Sequence, residues 1–284
     1  MENQNKPIGW SKWLKDEYTN LPLGNSNPGC FIILVDQTYS MLESYGDGTK
    51  ADQAAHVVNQ AIQNLSILCR RGQNIRDRCY VTVVGYGEQV ECIVEGWMSD
   101  VYSAFVRLEQ VKTQIPDGAG GVVEVEVQDP IWLDPKATGN ALMDDAFQHA
   151  AEVIERWIPH RPDGFPPVVI NITGGAAPRS HLITDKVGKI MSMRTTDGAP
   201  LICNFHIPNS EKKVMFPNER SQFSDEPLAQ YLFDISSVLP ESLFEHAKYG
   251  GFSPELGTKC FGYSHDMVFI WDLLCITTWA ARPY

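Results

Sequence analysis

The sequence predicts an α/β fold, a doubly wound and mostly parallel central sheet flanked by helices on both faces, and three observations carry that reading. Short apolar, β-branched runs at 30–35, 80–87, 168–173 and 200–207 have the composition of strands buried on both faces, which belong in the middle of parallel sheets. Between them lie segments whose apolar residues recur at three-four spacing, the mark of amphipathic helices. Strand and helix alternate along the chain, the order that builds a parallel sheet through right-handed crossovers. Ligands of such sheets sit beyond the C-terminal strand ends where the strand order reverses, so the residues that follow 35 and 173 are the places to look.

Residues 1–29 are polar, carry Pro22, Gly24, Pro28 and Gly29 near their end, and read as an arm leading into the first strand. Trp10, Trp13 and Leu14 are placed to dock that arm on the body. After a loop at 44–50, a helix is expected over 51–71, with Ala54, Val57, Val58, Ala61, Ile62, Leu65 and Leu68 on one face. Strands at 80–87 and 91–97 follow, the first buried and the second nearer an edge. A short helix is expected over 100–111, and alternating apolar and acidic residues at 123–127 make an insert at about 115–135 an exposed strand or hairpin. Helical spacing returns at 139–158, and a Pro-rich link at 159–167 leads to the strand at 168–173. A helix at 182–193 and a strand at 200–207 come next, then a helical extension over about 225–284 with helices at 228–239, 241–249 and near 266–279. The organisation expected is one large domain over 30–284 behind the arm.

Acidic residues outnumber basic ones 35 to 23, a formal charge of −12, which disfavours a grip on phosphate backbones, so no nucleic-acid partner is expected. The seven cysteines are odd in number, lack C-x-x-C and lie mostly in apolar runs, as reduced core residues of a cytoplasmic protein do. The N-terminus has no apolar signal-peptide core and no stretch approaches the roughly 18 uninterrupted apolar residues of a span, so cytoplasmic location without a membrane partner is expected. Two N-x-S/T sequences, at Asn64 and Asn171, are chance matches under that reading.

The run 30–35 ends in Asp36, and Thr38 and Ser40 follow at alternate positions. Extended or turning chain with that spacing aims three oxygens at one point, as a hard cation requires. The same residues also suit a strand-end turn in which Asp36 and Ser40 accept backbone N–H bonds ahead of the next helix. Signatures of other sites are missing: there is no G-x-S-x-G, no phosphate-binding glycine loop and no H-E-x-x-H. His265-Asp266 reads more simply as an exposed or core histidine than as a catalytic base. His206 ends a strand and so points toward the same edge as Asp36, where loop histidines commonly sit.

An apolar strand ending in D-x-T-x-S, a threonine ahead of a helix (Thr138 in ATGNAL) and a strand ending in VVINITGGA together resemble the von Willebrand factor A (VWA) domain, which builds its metal-ion-dependent adhesion site in this way. The resemblance implies a Rossmann-like fold and a Mg²⁺ (or Mn²⁺) ion held by Asp36, Thr38, Ser40 and Thr138, with Thr173 and Gly174 in the third loop. An Asp follows that threonine in the family, whereas Gly174 stands here, so one carboxylate is missing. Loss of an outer-shell partner typically costs about 10–100-fold in metal affinity. Asp185 is a candidate to swing back as a substitute acid, although an Asp near a helix start also serves as a helix-end charge.

The segments after 166 are similar to those of a bacterial VWA subgroup, that of tellurite-resistance-associated proteins, whose genes accompany a protein kinase and a metal-dependent serine/threonine phosphatase. That resemblance implies a non-enzymatic adaptor in a phosphorylation-controlled stress or phage-defence module, docking an acidic residue of a protein partner. It also makes Thr38, or a nearby hydroxyl, a candidate for phosphorylation by a cognate kinase, which would add about −1.5 to −2 charge and remove a ligand. Two alternatives stand beside it. One is a metal-independent or self-associating scaffold using the 115–135 insert or the arm. The other is a metal-dependent phosphate-ester hydrolase, for which hydroxyl ligands hold a metal loosely and no clear general base is present.

Overall fold

The computed structural model of the chain describes residues 28–116 and 121–264. The expectations for Trp10, Trp13 and Leu14, for His265-Asp266 and for a helix at 266–279 lie outside these residues. In chain order the main elements are β1 (Gly29–Asp36), α1 (Lys50–Cys69), β2 (Cys79–Tyr86), β3 (Val90–Trp97), α2 (Met98–Ser103), β4 (Arg107–Pro116) and β5 (Val122–Ile131). They continue with α3 (Met143–Trp157), β6 (Val168–Thr173), α4 (Ser180–Ser192), β7 (Leu201–His206), β8 (Val214–Met215), α5 (Pro227–Ile235), α6 (Phe244–Tyr249) and β9 (Phe261–Tyr263).

Seven strands form the central sheet in the order β8-β9-β7-β6-β1-β2-β3. Neighbours are parallel except at the two edges, where β3 runs against β2 and β8 against β9. The chain therefore starts in the middle, runs outward through β2 and β3, and returns to the other side of β1 at β6. The strand order reverses between β1 and β6.

Period-two alternation along β1 divides the core between the two faces. Phe31, Ile33 and Val35 pack with Ala54, Val58, Ile62 and Leu65 of α1 and with Leu243 and Ala247 near α6. Cys30, Ile32 and Leu34 pack with Phe147, Ala150 and Ile154 of α3, Ile183 and Val187 of α4, and Leu232 of α5. Helix α1 begins where Thr49 and Asp52 form a reciprocal capping box, each side chain bonding the other's backbone N–H.

The chain after α2 departs from the expected helix over 100–111: α2 ends at Ser103 and Arg107 already belongs to β4. The reason is non-local, because Arg107 to Pro116 pairs along its whole length with Val122 to Ile131 in a separate hairpin. The insert is thus a hairpin, as the alternation at 123–127 suggested, and it begins earlier than 115. Its return is clamped to the core by Asn59 of α1, whose amide accepts from Trp132 and Leu133 N–H at 2.9 Å each and donates to Leu133 C=O at 2.8 Å. The segment read as a helical extension contains α5 and α6 and also supplies β9, a parallel neighbour of β7.

Among the described cysteines only Cys92 is exposed; Cys30, Cys69, Cys79, Cys203 and Cys260 are buried and free. Asn64 and Asn171 are buried as well. No helix among the described residues is long and apolar enough to cross a membrane.

Phe147 is fully buried in the α3 face of the core. Truncation to alanine is expected to lower unfolding stability by about 3–5 kcal/mol in a urea titration; a loss below about 1 kcal/mol would contradict this packing.

Candidate functional site at the strand ends

Asp36 ends β1 and Thr173 ends β6, so the two residues face each other across the point where the strand order reverses. Asp36 is 1% exposed. Its Oδ1 accepts from Thr38 N–H at 2.9 Å, while Oδ2 accepts from the Thr173 hydroxyl at 2.7 Å and Gly174 N–H at 3.3 Å. Burial pushes the Asp36 carboxyl pKa up, and these hydrogen bonds from Thr38, Thr173 and Gly174 oppose the rise.

The side chains of Thr38 and Ser40 meet each other at 2.7 Å between hydroxyl oxygens. A Cβ built on Gly175 would lie 2.3 Å from Ser40 Oγ and 3.1 Å from both Asp36 Oδ2 and Thr38 Oγ1. Three oxygens, from residues spaced two apart in sequence, thus surround one small space, and glycine keeps it clear. Oxygen donors are what hard cations take, so the donor chemistry of Asp36, Thr38 and Ser40 suits Mg²⁺.

Thr138 reaches the same region through its backbone. Its N–H donates to Gln37 C=O at 2.6 Å, and Tyr39 N–H donates to Gly139 C=O at 3.2 Å. The fit is close enough that Gly87 is required beside it: a Cβ there would come within 2.4 Å of Thr138 O and 2.5 Å of Gln37 O. The loop after β6 is tied down by Arg179, whose guanidinium lies 2.6 Å from Asp144 at the start of α3. Arg179 itself adopts a left-handed φ of 59°.

Gly174 behaves differently from Gly175. A Cβ at Gly174 would sit 2.9 Å from both Lys50 Cδ and Met41 Sδ, and 3.6 Å from Lys50 Nζ. The space for a third-loop side chain is therefore filled by Lys50, which is 2% exposed and pairs with Glu43 Oε2 at 2.6 Å. Asp185 lies on the exposed side of α4 and makes no hydrogen bond to the Asp36 cluster among the described residues.

Several participants carry no local sequence signal. Tyr86 OH donates to Asn171 Oδ1 at 2.9 Å, Asn171 Nδ2 to Asn204 Oδ1 at 2.9 Å, and Asn204 Nδ2 to Ser236 Oγ at 3.0 Å. This chain of fully buried side chains crosses from β2 through β6 and β7 to the end of α5. Pairing of such groups inside apolar strands is what makes their burial tolerable. Lys50 and Glu43 were likewise unmarked, because a lysine and a glutamate beside a helix start are ordinary surface residues by type. At the rim, Tyr39 is 62% and Leu42 57% exposed, on either side of Ser40.

His206 is the register partner of Thr173, and its Nδ1 lies 3.2 Å from Thr173 O. Burial and then the Lys50 charge push its pKa down from 6.5 to about 4. A depressed histidine favours the neutral form in the folded state, so the unfolded chain binds more protons between these values. Stability is then expected to fall as pH drops from about 6.5 toward 4, and His206→Gln should flatten that part of the stability profile. Equal slopes for wild type and variant in this window would contradict the assignment.

No protein-family model matches the sequence, and no curated protein matches it. Among solved structures, the conserved hypothetical protein BatB from Bacteroides thetaiotaomicron is similar at 9% identity and a TM-score of 0.36, over 67% of this chain and 72% of that one. Proximal thread matrix protein 1 from the mussel byssus is similar at 13% identity and a TM-score of 0.39, over 75% of this chain and 42% of that one. The human COPII-coat protein Sec24c is similar at 14% identity and a TM-score of 0.32, over 65% and 26%. The matched region thus spans less than half the length of the latter two.

Proposed function

We propose that this chain is a non-enzymatic binding protein whose strand-end face docks a protein partner through a Mg²⁺-dependent contact with a partner carboxylate. The observation that carries the reading is the clear space bounded by Asp36 Oδ2, Thr38 Oγ1 and Ser40 Oγ and kept open by Gly175. Asp36, Thr38 and Ser40, with Thr138 from the neighbouring loop, are the residues that would hold the ion. Bound there, Mg²⁺ would supply a positive centre with a position left for an oxygen from outside.

The chain's own residues do the rest. Asp36 brings the negative charge, and Thr38 N–H, Thr173 OH and Gly174 N–H fix its orientation. Exposed Tyr39 and Leu42 flank Ser40 and give a partner apolar contact beside the polar centre. The resemblance to VWA proteins supports the same reading and extends it to a partner set of a serine/threonine kinase and a metal-dependent phosphatase.

A second reading has its own observation. Lys50 fills the space beside Gly174, so a fixed ammonium stands where the family's third-loop acid would project. In that reading the face docks its partner without metal.

Capture of partners from cell extract by the full chain tests both. Retention should be lost in Asp36→Ala and on chelation of divalent ions. Loss in Asp36→Ala with retention under chelation would favour the metal-free reading, and retention with Asp36, Thr38, Ser40 and Thr138 all replaced would sink both.

Gly174→Asp, which would restore the family's residue, is expected to meet Lys50 before any ion. Calorimetry should therefore show no gain in Mg²⁺ affinity from that substitution alone, in place of the roughly 10–100-fold an outer-shell acid is ordinarily worth. A tenfold gain would show that Lys50 yields.

A further inference from the structure

At the sheet edge, two strands over from β1, the edge strand β3 and helix α3 bring together a thiol, a carboxylate and an imidazole. Cys92, Glu95 and His149 each offer one ligand atom, and the three atoms lie within 4.8 Å of one another. Cys92 and Glu95 are three residues apart on one strand, a spacing that puts side chains on opposite faces of regular β-structure. Here the register slips: Val83 faces Val94 and Val84 faces Cys92, leaving Ile93 as an extra residue. Such a bulge re-aims the side chains on either side of it, and it turns Cys92 and Glu95 toward the same helix.

The carboxylate is held in place from behind. Glu95 Oε1 accepts from Tyr80 OH at 2.8 Å and from Arg156 Nη2 at 2.6 Å. Its other oxygen, Oε2, is left 3.8 Å from Cys92 Sγ and 3.7 Å from His149 Nε2. His149 Nε2 is shielded from solvent and makes no hydrogen bond.

We propose that Cys92, Glu95 and His149 form a zinc site, with water as the fourth ligand. A tetrahedral centre with bonds of roughly 2.0–2.3 Å has ligand-to-ligand edges of about 3.3–3.8 Å. The separations of 3.7 and 3.8 Å lie at the upper end of that range, and with Cys92 Sγ and His149 Nε2 within 4.8 Å of each other a modest closure of the three side chains completes the site. Thiolate and imidazole select zinc over magnesium or calcium, so this site and the oxygen-lined space at Asp36 prefer different ions. On binding, the S–H bond of Cys92 gives way to a Zn–S bond and the proton passes to solvent. Tyr80 and Arg156 act as the outer partners that orient the carboxylate. The ion would pin the edge strand β3 to α3.

The test is zinc titration of the reduced full chain against a chromogenic chelator, with Co²⁺ as a spectroscopic probe. One zinc per chain is expected, together with thiolate-to-cobalt charge-transfer absorption. Cys92→Ser, at an exposed position that leaves the core intact, and His149→Gln should each weaken binding by more than the roughly 10-fold that loss of even an outer-shell partner costs, and Cys92→Ser should remove the absorption band. Asp36→Ala should change neither, which separates this site from the strand-end one. Absence of stoichiometric zinc under reducing conditions, or binding indifferent to both Cys92→Ser and His149→Gln, would overturn the proposal.

Discussion

The strand-end architecture depends on one carboxylate placed where water does not reach. A buried charge without partners is among the most unfavourable features a fold can contain, and Asp36 is tolerated because backbone and hydroxyl donors converge on it. Satisfying it dictates much else. The turn after β1 must present Thr38 N–H, β6 must end in a hydroxyl at Thr173, and the next residue must offer its own N–H. Removing the carboxylate would leave those buried donors unpaired, at a cost of about 1–3 kcal/mol for each. The fold thus uses the reversal of strand order between β1 and β6 both as a crevice and as the place where three loops are stitched together.

Around this centre the sheet carries a second polar layer. Tyr86, Asn171, Asn204 and Ser236 form a hydrogen-bonded row through the otherwise apolar α3 face, running just beneath the strand ends. On the other side, the Lys50–Glu43 pair forms a charged margin, and burial and the lysine favour the neutral form of His206 beside it. The site is therefore framed by polar groups whose positions are fixed by burial. On the function proposed above, such a face would recognise a charged group of a partner, with exposed Tyr39 and Leu42 adding apolar contact.

Much of this was legible in the sequence, and what was not has physical reasons. CFIILV and VVINIT are apolar enough to announce buried parallel strands, and the topology that brings their ends together follows from the alternation of elements. Asp36, Thr38 and Ser40 stand out because their spacing survives into the turn. Tyr86, Asn171 and Asn204 do not, since single polar residues inside strand runs look like noise until their partners across the sheet are known. The strand at 107–116 reads locally as part of a helix because its partner at 122–131 decides its conformation. The bulge at Ile93, which unites Cys92 with Glu95, leaves no trace in composition or period. Lys50 escapes notice because a lysine at a helix start is nearly always solvated, whereas here it fills the space left by Gly174.

The most direct test of the account is a ¹H–¹⁵N NMR titration of the full chain with Mg²⁺. The account predicts saturable shifts centred on the amides of Thr38, Ser40, Gly174 and Gly175, with a smaller response at Thr138 and Gly139, all absent in Asp36→Ala. Saturable shifts elsewhere on the chain, or none at the strand ends at millimolar ion, would contradict it.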